Sequence, residues 1–144
     1  MVLLSRTRSR LWPFWLATLW LTGAAAAHAG TVRVGEPLPD VTFARWQGGS
    51  VTLDAWRGQV VVLDFWASWC RICHTALPRL DDMSRQYAEQ GLVVAAVGID
   101  ADRSAAERLL EQVLPKPSVT LLRDPGGRVF ARFGASGMPA LYIA

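Results

Sequence analysis

From residue 41 onward, apolar runs alternate with polar stretches in a pattern that can be read element by element. Val41-Thr42-Phe43 and Val51-Thr52-Leu53 are strand-like, and Gln47-Gly48-Gly49 turns between them, which predicts a short hairpin. Val60 to Trp66 (VVVLDFW) is apolar at every position except Asp64. A run without a polar face suits a strand covered on both sides in a parallel sheet. From about Cys70 to Gln90 the period changes. Cys73, Ala76, Leu77, Leu80, Met83 and Tyr87 recur at helical spacing and predict a helix with one buried face, ended by Gly91. Leu92 to Ile99 is a second buried strand, so the three segments form a βαβ unit.

A second helix is predicted to open on a capping box, Ser104 to Glu107, and to stop before Pro115 and Pro117. Val119 to Leu122 reads as a short strand. Asp124-Pro125-Gly126-Gly127 reads as a turn, and Arg128 to Phe133 as one or two helical turns ended by Gly134. Met138 to Ala144 begins another strand. With no repeat and no low-complexity tract, the pattern predicts one α/β domain.

The first residues belong to a different class of segment. Arg6, Arg8 and Arg10 precede an apolar stretch from Leu11 to Ala27, followed by Ala27-His28-Ala29. A charged start, an apolar middle and an A-x-A site predict a signal peptide over residues 1–29, removed on export to the periplasm, with the domain over 30–144. The alternative is a retained anchor, for which the apolar run stands at the short limit of roughly 17 residues. No cysteine lies near the cleavage site, which argues against a lipid anchor. Contact with the membrane is therefore expected only through this segment. Of the 15 basic residues, three leave with it, and none of the 12 acidic ones do, so the remaining domain is neutral. A neutral domain with interspersed charges and no basic stripe gives no footing for nucleic acid.

The chain has two cysteines, Cys70 and Cys73, in the string WCRICH. Two chemistries fit. C-x-x-C opening a helix is a dithiol redox centre, and C-x-x-C-H is also an attachment site for c-type haem, with His74 as axial ligand. The predicted address favours the dithiol. The pair lies where a buried strand gives way to a helix, whose N-terminal amides and dipole stabilise a thiolate. Cys70 is the expected nucleophile, and Cys73, facing the protein, resolves the mixed disulfide. Arg71 adds positive charge nearby. An inert staple is the bland alternative, but a bridge closing so short a loop constrains the unfolded chain little. A third option is a Cu(I) carrier built on Cys70, Cys73 and Met138, since thiolate and thioether sulfur suit that ion. The bland alternative for Met138 is an apolar rim that touches partner peptides.

At these residues the chain resembles the thioredoxin superfamily, and in particular its exported TlpA-like and ResA-like thiol–disulfide oxidoreductases. VGEPLPDVTF and VTLDAWRGQVVVLDFWASWC are similar to that family's N-terminal hairpin and its strand into W-C-x-x-C. The resemblance covers Val34 to Ala144 and implies a thioredoxin-like fold. Ala101 to Asp124 would then be the helix and strand inserted between its two halves. The resemblance also makes GMPALYI the cis-proline segment, putting Met138 and Pro139 beside the dithiol to hold a partner's backbone. Pro78 matches a helix-kinking proline. Asp64 matches a buried acid that handles the proton of Cys73. Trp69 and Arg71 form the expected partner-facing rim, and Trp66 is expected to pack inward.

Three departures stand out. Ile72 replaces the proline often found before the second cysteine, His74 creates the haem-like string, and the family's last hairpin strand and final helix have no counterpart before Ala144. The implied function is an exported enzyme that exchanges disulfides with protein thiols, with no bound cofactor. The partners implied are protein thiols or disulfides and an upstream redox donor or acceptor, possible clients being apo-cytochrome c or a copper-site assembly protein.

Overall fold

The computed structural model describes residues 31–144, so the expected signal segment, 1–29, lies outside the described residues. Six strands form one mixed sheet: β1 (Thr42–Arg45), β2 (Ser50–Thr52), β3 (Val60–Trp66), β4 (Leu92–Gly98), β5 (Thr120–Arg123) and β6 (Ala140–Ile143), in the order β2-β1-β5-β4-β3-β6. β3, β4 and β5 run parallel. The predicted hairpin, β1–β2, joins the β5 side antiparallel, and β6 joins the β3 side antiparallel. The helices are α1 (Cys73–Tyr87), α2 (Arg103–Val113) and α3 (Arg128–Arg132).

β3 and β4 are continuous apolar runs because both of their faces are covered. Val62 and Trp66 of β3, with Val94 and Ala96 of β4, pack under α1 and α2. Leu63, Phe65, Ala95 and Val97 face the other way, against Phe133 and the partly buried Phe130. Alternation along a strand separates these two sets. On the second face Phe65 is the hub. Its ring meets those of Phe43, Phe130, Phe133 and Tyr142 at centroid distances of 5.3 to 6.4 Å. On the first face Trp46 stacks on Trp66 at 6.2 Å. That stack explains a glycine within a buried strand: a Cβ on Gly98 would stand 3.0 Å from Trp66 Cζ2 and 3.5 Å from Trp46 Cζ3.

The helices depart from their predicted limits for local reasons. α1 begins at Cys73, three residues later than the spacing predicts, because the Cys70 N–H closes a separate turn on the Ala67 carbonyl at 3.0 Å. A short 3₁₀ turn over Ala88–Gln90 extends the helix to Gly91, whose φ of 82° supplies the left-handed stop. Tyr87 is exposed, so the buried face runs through Cys73, Leu77, Leu80 and Ser84 instead. α2 is capped by Asp102, not by a Ser104 capping box. Asp102 Oδ1 accepts from the Ser104 N–H at 2.9 Å, while Glu107 pairs with Arg103 at 2.6 Å. The Ser104 hydroxyl donates to the same Asp102 oxygen, which places it after the cap residue.

Two buried carboxylates tie loops to the frame. Asp81 of α1 accepts the N–H groups of Ser118 (2.5 Å) and Val119 (3.0 Å) and pairs with Arg85. Asp124 accepts those of Val129 (3.1 Å) and Phe130 (2.8 Å), anchoring the start of α3.

Candidate dithiol active site

Cys70 and Cys73 are joined in a disulfide with their Cα atoms 5.3 Å apart. The pair sits where β3 hands over to α1. Trp66 ends the strand, Ala67 to Cys70 form a turn, and the helix starts at Cys73. The Cys73 N–H donates to the Cys70 carbonyl at 3.0 Å and lies 3.3 Å from Cys70 Sγ. The sulfur that meets the helix N-terminus is therefore that of Cys70. No side chain caps this end of α1. Its leading amides and the helix dipole are left to act on whatever anion forms there.

The two cysteines differ in access. Cys73 is fully buried, while Cys70 keeps 6 % of its surface and is followed by exposed Arg71 and Ile72. Trp69, immediately before it, is 68 % exposed, and Ile72 is 65 % exposed. A large indole and an isoleucine in water beside a reactive sulfur make an apolar rim of the kind a peptide can cover.

Asp64 is 1 % exposed and lies on the same face of β3 as Val62 and Trp66, the face that α1 covers with Cys73, Leu77 and Leu80. Its Oδ2 has no hydrogen-bond partner among the described residues. Burial without a partner disfavours the charged form, and the carboxyl is pushed up to about 7. An acid in that range can both take and return a proton near neutral pH.

The peptide bond between Met138 and Pro139 is cis. Met138 packs against the apolar cluster that contains Cys70 and Cys73, while Pro139 is exposed at the start of β6. The fold thus packs Met138 on the apolar cluster that contains the dithiol and places Asp64 on the β3 face that α1 covers. Trp69 and Arg71 lie on the surface loop. Trp66 packs inward, as expected from strand alternation.

His74, in the first turn of α1, is engaged by the loop that precedes the helix. Its Nε2 lies 2.8 Å from the Ser68 carbonyl, an acceptor, so the nitrogen donates. Ser68 is held a second time. Its N–H and hydroxyl donate to the two oxygens of Asp100, at 2.9 and 2.6 Å. Neither Ser68 nor Asp100 stands out in the sequence, because the pair spans 32 residues and leaves no local spacing to find. A covalently attached haem does not fit here: the two sulfurs are joined to each other, Cys73 faces the packed core, and the His74 Nε2 is engaged.

A parallel βαβ core with a C-x-x-C pair between strand and helix, and a cis-proline segment whose Met138 packs on the same apolar cluster, defines a thioredoxin-like fold with a dithiol site. The chain belongs to the AhpC/TSA family, whose model matches residues 34–144. It is 24 % identical over 112 residues to thiol-disulfide oxidoreductase ResA of Bacillus thuringiensis subsp. konkukian, covering 78 % of this chain and 64 % of the relative. This chain thus spans less than two thirds of the length of the ResA proteins it matches. Among solved structures it is similar to a candidate thiol:disulfide interchange protein DsbE from Chlorobium tepidum, with 34 % identity, a TM-score of 0.72 and 78 % of each chain covered. A secreted Mycobacterium tuberculosis disulfide oxidoreductase homologous to E. coli DsbE shares the fold at 22 % identity, with a TM-score of 0.63, over 72 % of this chain and 75 % of that one.

Proposed function

We propose that the protein is a thiol–disulfide oxidoreductase that exchanges disulfides with other proteins through Cys70 and Cys73. The observation that carries this reading is the asymmetry of the pair: the less buried cysteine is the one whose sulfur meets the helix N-terminus, and the fully buried one lies behind it. In the reducing direction, the Cys70 thiolate attacks a partner disulfide. A Cys70–partner disulfide forms and one partner thiolate leaves. Cys73 then gives up its proton to Asp64 and attacks Cys70 Sγ. The second partner thiolate leaves, the Cys70–Cys73 bond closes, and two electrons have passed to the partner. The same steps reversed oxidise a partner dithiol, and the potential sets the direction. Trp69 and Arg71 contact the partner at the rim, and Met138 and Pro139 align its backbone.

Export fits this chemistry. The Arg-rich, apolar start with its A-x-A site supports delivery to an oxidising compartment, where such a pair works on secreted clients such as apo-cytochrome c or a copper-site protein. Among the described residues no helix is long and apolar enough to cross a membrane. The test is equilibration of the purified protein with glutathione, followed by assay of disulfide reduction in a protein substrate. A pair that neither equilibrates nor turns over substrate would sink the reading.

One observation favours a second reading. Met138 packs on the cluster that holds both cysteines, so the three sulfur residues needed for a Cu(I) carrier lie in one region. Cu(I) titration of the reduced protein beside Met138→Ala separates the two: a tight site lost with Met138 supports the carrier.

A further inference from the structure

Ser68 offers three polar groups, and side chains from two other elements take all three. Asp100, just beyond the end of β4, accepts both the N–H (2.9 Å) and the Oγ–H (2.6 Å), one on each carboxylate oxygen. His74, the second residue of α1, donates to the carbonyl at 2.8 Å. Ser68 is also the second residue of the turn that Cys70 closes on Ala67. A loop between strand and helix ordinarily holds itself with its own backbone and with water. Here a carboxylate and an imidazole grip one residue of the turn that sets where Cys70 Sγ lies relative to the Cys73 N–H.

We infer that Asp100 is a positioning residue for dithiol exchange: through its two-point grip on Ser68, with His74 closing the third contact, it holds Cys70 Sγ against the Cys73 N–H at the head of α1. The purpose of the grip rests on the exchange reading above, but its effect is a property of Cys70 that is measurable without any substrate.

Asp100 acts on Cys70 in two opposing ways. Its grip preserves an N–H···S contact that favours the thiolate, whereas its negative charge disfavours a second anion nearby. The other charged or titratable groups around the pair are Arg71 in the loop, His74 on α1 and Asp64 on the β3 face beneath. The segment from Gly137 to Ala140 brings none. Two variants separate grip from charge while leaving those groups in place. Asp100→Asn can accept the Ser68 N–H through its amide oxygen and donate to Ser68 Oγ, so the grip stays and the charge goes. Asp100→Ala removes both.

The experiment is the pH profile of Cys70 alkylation by iodoacetamide in the reduced protein, with the modified cysteine identified by mass spectrometry. Asp100→Ala is expected to slow alkylation at pH 7 about tenfold and to raise the midpoint by about one unit, the effect of losing one hydrogen bond to an anion. Asp100→Asn is expected to leave the midpoint in place or lower it. Ser68→Ala, which loses the Oγ contact and keeps the two backbone ones, should move it upward by less, and it serves if Asp100→Ala does not fold. An unmoved or lowered midpoint in Asp100→Ala and Ser68→Ala overturns the inference, even where the melting temperature falls, and so does an Asp100→Asn profile that matches Asp100→Ala. Failure of the wild type to equilibrate with glutathione counts against the exchange reading alone, since the alkylation profiles still decide the role of Asp100.

Discussion

Asp64 and Trp66 lie two residues apart on one face of β3, and each buries a polar atom, Oδ2 and Nε1, that has no hydrogen-bond partner among the described residues. The indole N–H cannot escape that cost. The carboxyl can, by staying protonated, and this is why burial pushes it up to about 7 from an ordinary 3.8. A carboxyl raised in the fold supports stability below its unfolded value and withdraws that support as pH climbs through its folded value. Between about pH 4 and 7, wild type should therefore lose stability relative to Asp64→Asn, by on the order of 4 kcal/mol at most. Denaturant unfolding of the oxidised proteins, in which the cysteines do not titrate, measures it. A difference that stays constant with pH would exclude Asp64 as the buried titrating group.

The same carboxyl should matter kinetically. With Asp64→Asn nothing at that position can take the Cys73 proton, so escape of a partner from the mixed disulfide should slow by about 10²-fold or more near neutral pH. Formation of the mixed disulfide by Cys70 should change little. Stopped-flow traces that show both steps slowed equally would place Asp64 outside the proton transfer.

The unequal burial of the cysteines predicts unequal variants. Cys73→Ser leaves the less buried thiolate, at the head of α1, with nothing to release the bound partner, and covalent complexes should accumulate. Cys70→Ser leaves a fully buried thiol and should trap little. Non-reducing gels of extracts from cells expressing each variant give the comparison, and equal trapping would reverse the assignment of roles.

Trp69 is large, exposed and adjacent to Cys70. If it covers a partner's chain, Trp69→Ala should weaken turnover of a protein substrate by about tenfold, mainly through KM, in keeping with truncation of an aromatic contact residue. The equilibrium constant with glutathione, whose end states hold no bound partner, should be unchanged. A loss of the same size in both assays would make Trp69 a structural residue.

Gly98→Ala tests the packing behind the site. The added Cβ would stand 3.0 Å from Trp66 Cζ2, and the ring is itself stacked on Trp46. The indole must shift within a filled core, at a cost of about 1–3 kcal/mol. Thermal unfolding reads this directly, and a variant as stable as wild type would mean that the stack has room to give.

The strands and the address of the dithiol were legible because they rest on local pattern. VVVLDFW matches β3, and LVVAAVGI matches β4 with one residue over, as continuous apolar runs must when both faces are covered. Asp64 was legible for the same reason, as the one polar residue in such a run. The features that escaped are polar contacts between residues distant in sequence. Ser68 meets Asp100 across 32 residues, and Asp81 meets Ser118 across 37. The second pair also shows why Asp81 is buried on a helix face that apolar spacing alone assigns to its neighbours. The capping of α2 was misplaced by two residues because Asp102 and Ser104 are both good caps, and only the fold decides which of them stands in the extended conformation.

The spacing of the two cysteines also bears on assembly. Two cysteines in a chain admit one internal pairing. Only two residues separate them, so their sulfurs remain neighbours even when the rest of the polypeptide is extended. Between these two cysteines there is one internal pairing to make, and its bond can close before the sheet exists.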